Sequence, residues 1–342
     1  MNKLILIGNG FDLSHAIKTS YVDYANYICS NAIDKYIEHK SYRDDIIEIH
    51  ERHNIRRHYQ PVWSHQGLEG RYRLAELQKD PTYITVKIKN NLFKELLDDI
   101  EHKNWCDIEQ LYFDRLMSCD ANDIDRLQDD FENIRKTLIQ YLRFCTTQNY
   151  TSKYLDILTE PCYQDDLNTQ MNDFLICSFN YTDTIQHYYK KLLETKNVQL
   201  IYMHGDLQKK YGDPILGYGC KDTDYKMLAS TKGEKYLHYM KSCLYSDEDN
   251  YQVLKKFLDD SDYEVLIIGM SLGLTDQNLL REIFNHRNNQ YIKIAQYINK
   301  DGNSDFNSKV IKLGSLIKNI DNVRAKVVPK KYCPVIPNKI SK

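Results

Sequence analysis

The sequence predicts an α/β fold in which a parallel, Rossmann-like sheet is flanked by helices and interrupted by a large helical insertion. Five short apolar runs bounded by Gly, Asn or Asp predict the strands: Leu4–Ile7, Phe174–Ser178, Leu200–Met203, Val265–Ile268 and Tyr291–Ile298. Because these runs are continuously apolar, each strand is expected to be buried on both faces, which is typical of parallel sheets covered by helices.

Most of the chain between the first two predicted strands has the sequence pattern of helices. The clearest pattern is an apolar stripe at spacings of three and four residues, formed by Ile124, Leu127, Phe131, Ile134, Leu138 and Leu142. We therefore predict a discontinuous nucleotide-binding core of residues 1–30 and 172–342, with a helical insertion of residues 31–171.

Charge and cysteine content narrow the class of protein. The 46 Lys and Arg residues nearly balance 48 Asp and Glu residues, which argues against coating of nucleic acid or anionic membrane through bulk charge. The nine cysteines contain no C-x-x-C pair, so we expect a reducing compartment and no structural zinc or other metal. The apolar start is too short for a signal peptide or a membrane span, so the sequence predicts a cytoplasmic protein without membrane attachment.

The first predicted strand runs into Gly8, Asn9, Gly10, Phe11 and Asp12. Two glycines at a strand-to-helix turn let backbone N–H groups approach a phosphate, so these five residues are predicted to contact a nucleotide. A hydride-transfer enzyme is disfavoured, because the third glycine of the dehydrogenase fingerprint is absent. A tight turn without a ligand is the alternative.

Polar side chains also follow the second and third predicted strands. Asn180, Thr182 and Asp183 come after Phe174–Ser178, and His204 comes after Leu200–Met203. In open α/β sheets, ligands bind outside these carboxyl ends. A histidine there can serve as a general base near neutral pH, although a lone histidine is more often structural.

The fourth predicted strand is followed by Gly269, Ser271 and Leu272, within a segment that matches the G-x-S-x-G nucleophile elbow. A serine hydrolase of that kind needs an acid and then a histidine after the serine, but the only later histidine, His286, follows too closely. We therefore interpret Ser271 as a ribose or phosphate contact.

A segment rich in histidine and arginine favours a second class of function. It contains His50, His53, His58, His65, Arg52, Arg56 and Arg57, with Tyr59, Arg71, Tyr72 and Arg73 nearby. A solvated basic face is the simplest interpretation, and such a face could also hold a phosphate backbone.

The opening segment LILIGNGFDLSHAIKTSYVDY closely resembles the N-terminal signature of the AbiH family of phage abortive-infection proteins. Later blocks resemble that family in the same order: Trp105 to Glu109, Phe179 to Thr182, His204-Gly205, and Ile268 to Leu272 with Asp276. The resemblance implies a role in defence against phage.

The same blocks also resemble, more weakly, a sirtuin-like NAD site. This resemblance implies that Gly8 and Gly10 line the dinucleotide, Asn180 faces the nicotinamide ribose, His204 is the base and Ser271 contacts NAD. NAD is thereby the expected substrate or ligand.

Two departures from the sirtuin pattern affect the expected chemistry. The familiar Asn-x-Asp is one residue longer here, which leaves the role of Asp183 open. The chain has no paired cysteines for the sirtuin zinc ribbon, so hydrolysis of NAD is expected rather than deacylation.

The expected function is therefore an abortive-infection effector that binds and hydrolyses NAD. The alternatives are a nuclease or nucleic-acid binder that uses the basic face, and a catalytically silent nucleotide sensor. Expected partners are a nucleotide, a phage-derived trigger or companion protein, and a second copy of the chain.

Overall fold

A computed structural model describes residues 1–52, 64, 67–79, 84–103, 107–146 and 173–336. The chain forms two compact units, one made of residues 1–18 and 142–342 and the other of residues 19–141. The sequence predicts boundaries at residues 30/31 and 171/172, and these stay predictions. The second of them falls at the edge of residues 147–172, which lie outside the described part.

Helices and strands are interspersed along the chain. The strands of the described residues are β1 (Asn2–Ile7), β2 (Ser41–Arg43), β3 (Ile47–Glu51), β4 (Ile84–Ile88), β5 (Phe174–Ser178), β6 (Val198–Tyr202), β7 (Tyr263–Ile268), β8 (Asn289–Ile294), β9 (Gln296–Tyr297) and β10 (Val335–Ile336). Their α-helices are α1 (Asn9–Ser14), α2 (Tyr21–His39), α3 (Gly70–Gln78), α4 (Asn91–Lys103), α5 (Ile108–Ser118), α6 (Ile124–Thr146), α7 (Thr184–Tyr188), α8 (Lys190–Leu193), α9 (Asp222–Met227), α10 (Lys241–Leu244), α11 (Asn250–Asp260), α12 (Gln277–Asn285), α13 (Phe306–Leu316) and α14 (Ile320–Lys326).

The first unit is built on a five-stranded sheet with the order β6-β5-β1-β7-β8. All four pairs of neighbouring strands are parallel. Every residue of β1 is buried, as expected for a central strand covered on both faces. This sheet confirms the predicted α/β fold class, and its strand order is that of Rossmann-type sheets.

Helices of the same unit pack on this sheet. α11 contacts β5 and β6, while α12 and α14 contact β8. The buried core combines the apolar strand residues with helix residues such as Leu254, Leu280 and Val323. The five predicted strands are all present, but the last one ends at Ile294, and a separate short strand, β9, follows it.

The second unit contains a three-stranded antiparallel sheet in the order β2-β3-β4, in addition to helices. The prediction of an all-helical insertion omitted this sheet. Apolar and polar residues alternate in β3 and β4, as in half-buried strands, but each run is only five residues long and was missed beside the helical patterns of the same region. The stripe of α6 behaves as predicted, since Phe131, Ile134 and Leu138 are buried.

Part of the predicted basic face is also in the second unit. Arg73 is only 1% exposed, and its Nη2 lies 2.7 Å from Oδ1 of Asp34. Arg73 therefore does not belong to an exposed phosphate-binding surface, which corrects the sequence-based expectation. His53, His58, His65, Arg56, Arg57 and Tyr59 lie outside the described residues.

No helix among the described residues is long and apolar enough to cross a membrane. Within the same residues, no three His, Cys, Asp or Glu side chains are grouped so that they could hold a metal ion.

The central sheet contains a buried ion pair between two neighbouring strands. Nζ of Lys3 in β1 lies 3.5 Å from Oε1 of Glu264 in β7, and both side chains are at most 1% exposed. Replacing Glu264 with Ala leaves a buried ammonium group without this carboxylate, so we expect a loss of about 3–5 kcal/mol in the free energy of unfolding. Urea unfolding of the purified protein measures this loss.

Two further variants complete that test. The double variant Lys3→Met with Glu264→Leu removes both charges and should recover most of the loss. The exposed pair of Arg324 and Asp321 is the control, because Asp321→Ala should cost no more than about 1 kcal/mol. Equal losses in Glu264→Ala and Asp321→Ala would contradict the role of the buried pair.

Candidate functional site

All the site residues predicted from the sequence lie at one edge of the parallel sheet. Gly8 to Asp12 follow β1, Asn180 to Asp183 follow β5, His204 follows β6, and Gly269 to Leu272 follow β7. Because the strands are parallel, their carboxyl ends share an edge, where α/β proteins bind their ligands. The contacts within this edge divide the residues into a backbone contact between glycines and two buried polar clusters.

The glycine contact joins the turn after β1 to the loop after β7. The N–H of Gly10 donates to the carbonyl oxygen of Gly269 at 2.8 Å. A Cβ atom on Gly10 would lie 2.7 Å from Cα of Gly269, and one on Gly8 would lie 2.7 Å from Cα of Met270. Gly269 itself has a φ of +63°, in the region that favours glycine. These glycines are thus required by the packing of backbone on backbone.

The remaining residues of these two segments differ in exposure. Asn9 and Ser271 are exposed, whereas Phe11 and Leu272 are buried in the core. The carbonyl oxygen of Ser271 accepts a hydrogen bond of 2.9 Å from Nζ of Lys312. Leu272 has a φ of +55°, which is rare for a leucine. Asn9 and Ser271 are therefore the two that present side chains to solvent.

The first polar cluster, which we call the Asp12 cluster, comprises Asp12, Asn180, Thr182, Thr184 and Tyr202. The hydroxyl of Thr182 donates to Oδ2 of Asp12 at 2.6 Å, and the hydroxyl of Thr184 donates to that of Thr182 at 3.1 Å. Oδ1 of Asp12 is buried and has no hydrogen-bond partner, and the same is true of the Tyr202 hydroxyl. The cluster therefore contains two buried polar atoms whose hydrogen bonds are unmade.

Burial determines the charge of Asp12. Desolvation raises its pKa from 3.8 to about 6, although the hydroxyl groups of Thr182 and Thr184 and the amide group of Asn180 act in the opposite direction. The negative charge of Asp183 raises the pKa further. Asp12 consequently changes its protonation state around pH 6 rather than near pH 4.

Asn180 connects the ends of β5 and β1. Its Nδ2 donates to the carbonyl oxygen of Gly8 at 3.1 Å, and its backbone N–H donates to Oγ of Ser178 at 3.2 Å. The side chain of Asp183 is only half-buried, and its Oδ2 accepts a hydrogen bond of 3.1 Å from Nε2 of Gln208. The buried Asn180 thus belongs to the Asp12 cluster, and the charge of Asp183 acts on Asp12.

The second polar cluster surrounds His204 at the end of β6. Nε2 of His204 lies 3.1 Å from Oδ1 of Asp276 and 3.2 Å from the hydroxyl of Tyr245. The same oxygen of Asp276 accepts a hydrogen bond of 2.9 Å from Nζ of Lys241. The ring of Phe179 packs edge-on against the imidazole. We call His204, Asp276, Lys241 and Tyr245 the His204 cluster.

The charges of this cluster are coupled. Burial alone would raise the pKa of Asp276, but the charges and hydrogen bonds of Lys241 and His204 together outweigh it and hold that pKa well below its usual range. Burial lowers the pKa of His204, and Lys241 lowers it further, against the opposing effect of Asp276.

Sequence reasoning did not identify most partners of these clusters. Asp276 stands in one of the blocks that resemble the AbiH family, but Lys241 and Tyr245 are in a segment without any motif. Tyr202 belongs to an apolar strand, where a tyrosine is expected to be core. Trp105 and Cys106, from another resembling block, lie outside the described residues.

A cavity of about 1030 Å³ lies elsewhere in the first unit. Its lining includes Asp259, Arg281, His286, Arg287 and Lys318. Since Asp259 precedes β7 and His286 precedes β8, this cavity is at the amino-terminal edge of the sheet. The glycine contact and the two polar clusters lie at the opposite, carboxyl-terminal edge of the sheet. We therefore assign the candidate site to that edge.

The sheet order and the polar residues beyond the strand ends define an α/β protein with a Rossmann-type arrangement. The family model described as Bacteriophage abortive infection AbiH matches residues 4–297 of the 342. The chain therefore belongs to the AbiH family, as its opening segment predicted. A search of curated proteins finds no match to this chain.

The glycine contact predicts that Gly10→Ala destabilises the protein. The added methyl group would overlap the backbone of Gly269, and overpacking of this kind costs about 1–3 kcal/mol. Asn9→Ala is the control, because Asn9 is exposed in the same turn. Thermal unfolding should show a lower midpoint for Gly10→Ala only, and equal midpoints would refute the backbone contact.

The raised pKa of Asp12 predicts how stability depends on pH. Protonated Asp12 contributes stability that is fully present below pH 3.8 and is lost as the pH rises to about 6. Each pKa unit corresponds to about 1.4 kcal/mol, so the ionised carboxylate costs about 3 kcal/mol above pH 6. Asp12→Asn should therefore gain stability relative to the wild type as the pH rises from 4 to 7.

Urea unfolding at each pH measures this difference. Asp301→Asn serves as the control, because the Asp301 side chain is exposed. A constant difference between Asp12→Asn and the wild type across this pH range would show that Asp12 does not titrate as described.

Proposed function

We propose that this chain acts in phage abortive infection by binding NAD at the carboxyl edge of its sheet and hydrolysing the nicotinamide–ribose bond. Membership of the AbiH family supports the role in abortive infection. The observation that supports the reaction is the adjacency of β6, β5 and β1, whose ends carry His204, Asn180 and Asp12.

Two features of this edge fit a nucleotide ligand. The strand order places the switch point at β1, where Rossmann-type sheets bind dinucleotides. Oδ1 of Asp12 and the hydroxyl of Tyr202 are buried without partners, although buried polar atoms are normally hydrogen-bonded. A ligand or water molecule in the Asp12 cluster would supply those bonds.

The chemistry of hydrolysis assigns roles to these residues. The bond from the ribose carbon to the nicotinamide nitrogen breaks, nicotinamide leaves with the electron pair, and the oxygen of water bonds to the carbon. Asn180 orients the ribose by hydrogen bonding, and a nearby base accepts the proton released by water. His204 is the base predicted from the sequence, and Asp12 is a second group at this edge with the required chemistry.

The structure bears differently on the two alternative functions, a nuclease or nucleic-acid binder and a silent nucleotide sensor. The nucleic-acid alternative is weakened, because Arg73 is buried against Asp34 rather than exposed on a basic face. A silent sensor would use the same nucleotide site without turnover. A phage-derived trigger, a companion protein and self-association remain proposals that follow from the role in defence.

The test is release of nicotinamide and ADP-ribose from NAD by the purified full-length chain, with and without phage lysate. Asn180→Ala should lower the rate by about 100-fold, since misplacement of the ribose reduces reactive geometry. Asn197→Ala, an exposed asparagine at the other end of β6, should leave the rate unchanged. Unfolding midpoints confirm that both variants are folded.

Calorimetric titration with NAD separates the alternatives. Binding without release under either condition would assign the chain to the silent sensors. Neither binding nor release, together with degradation of single-stranded DNA or RNA in parallel reactions, would replace the NAD proposal with the nuclease alternative.

A further inference from the structure

We infer that Asp12 touches the reacting water and that its Oδ1 accepts the proton released in the proposed hydrolysis. The inference rests on the proposed function and concerns which group at that site performs the proton transfer. It differs from the sequence-based expectation, in which His204 is the base.

The two carboxylate oxygens of Asp12 have different surroundings. Oδ2 accepts from Thr182 at 2.6 Å, and Thr184 in turn donates to Thr182, so one side of the carboxylate is fixed. Oδ1 is buried and unpartnered, so its lone pairs are available to a water molecule. A fixed carboxylate with one free oxygen is the arrangement that a general base requires.

Nε2 of His204 is already engaged. An ionised carboxylate only accepts hydrogen bonds, so Nε2 must donate to Oδ1 of Asp276 across their 3.1 Å separation. Nε2 therefore offers no lone pair to a substrate, and the contact of the imidazole with the ring of Phe179 makes His204 a positioning residue for the end of β6.

The electrostatics of the Asp12 cluster agree with this assignment. Burial brings the pKa of Asp12 to about 6, so the carboxylate form predominates at pH 7 but still binds a proton readily. The groups that act on it are Thr182, Thr184, Asn180 and the negatively charged Asp183. The hydroxyl of Tyr202, which interacts electrostatically with Asp12, is the second buried atom able to hold the water.

The step balances as follows. One O–H bond of water breaks and its proton goes to Oδ1 of Asp12, while the water oxygen forms a bond to the anomeric carbon of the ribose. The bond from that carbon to nitrogen breaks, and neutral nicotinamide departs with the electron pair. Asp12 then releases the proton to solvent, which leaves ADP-ribose, nicotinamide and one proton from NAD and water.

The test is the pH dependence of kcat/KM for nicotinamide release from NAD, measured from pH 4.5 to 8.5 with each variant. In the wild type, kcat/KM should fall below pH of about 6, as Asp12 becomes protonated. Asp12→Asn should lower the rate by about 10²–10⁴ and abolish this fall, while calorimetry shows that NAD still binds. Unfolding at pH 7 verifies that the variant is folded.

Two further variants make the assignment specific. Thr182→Val removes a hydrogen bond that lowers the pKa of Asp12, so the fall in kcat/KM should move to higher pH. His204→Gln should keep the fall at the wild-type pH, because His204 is not the proton acceptor. Asp183→Asn, which removes a neighbouring negative charge, should move the fall to lower pH.

The outcomes separate this inference from the proposed function. If the wild type releases nicotinamide but Asp12→Asn keeps the fall and His204→Gln loses it, His204 is the base and only the inference is wrong. If the wild type releases no nicotinamide under any condition, both the proposed function and the inference are wrong.

Discussion

Backbone lies directly on backbone where the turn after β1 meets the loop after β7, and the candidate site depends on this contact. The hydrogen bond from Gly10 to Gly269 continues the pairing of β1 with β7 beyond the sheet. Because Gly8 and Gly10 have no Cβ atoms, α1 can begin at Asn9, immediately after the strand. The start of α1 is thereby fixed, and Asp12 is directed towards Thr182 rather than solvent.

Burial of charged side chains in this unit costs desolvation free energy. Neighbouring opposite charges offset that cost for some of these side chains but not for others. Buried Lys3 and Lys241 each lie beside a carboxylate, Glu264 and Asp276 respectively, so these charges are balanced within the core. Asp12 has only hydroxyl and amide donors, which do not offset its desolvation, and its pKa rises in consequence. The edge of the sheet thus holds one carboxylate stabilised in its charged form and another that is readily protonated.

The sequence predicted the sheet because continuous apolar runs are a strong signal of buried parallel strands, and it also placed Asn180 and His204 correctly at the strand ends. It could not distinguish why Gly8 and Gly10 are needed, since a phosphate contact and close backbone packing require the same residue. Lys241 was beyond prediction, because its partner Asp276 is distant along the chain and only the fold joins them. The strands of the second unit escaped prediction because their alternating apolar and polar runs are at most five residues long.

A histidine at the end of a strand suggests a base because its ordinary pKa is near neutral, but availability of a lone pair decides whether it can act as one. In this protein Nε2 of His204 donates to Asp276, so that nitrogen has no lone pair to offer. A carboxyl group, whose ordinary pKa is too low for efficient proton transfer near neutrality, becomes suitable once burial raises its pKa. The exchange of roles that we propose between His204 and Asp12 therefore rests on their surroundings, which only the folded arrangement of β1, β5 and β6 determines.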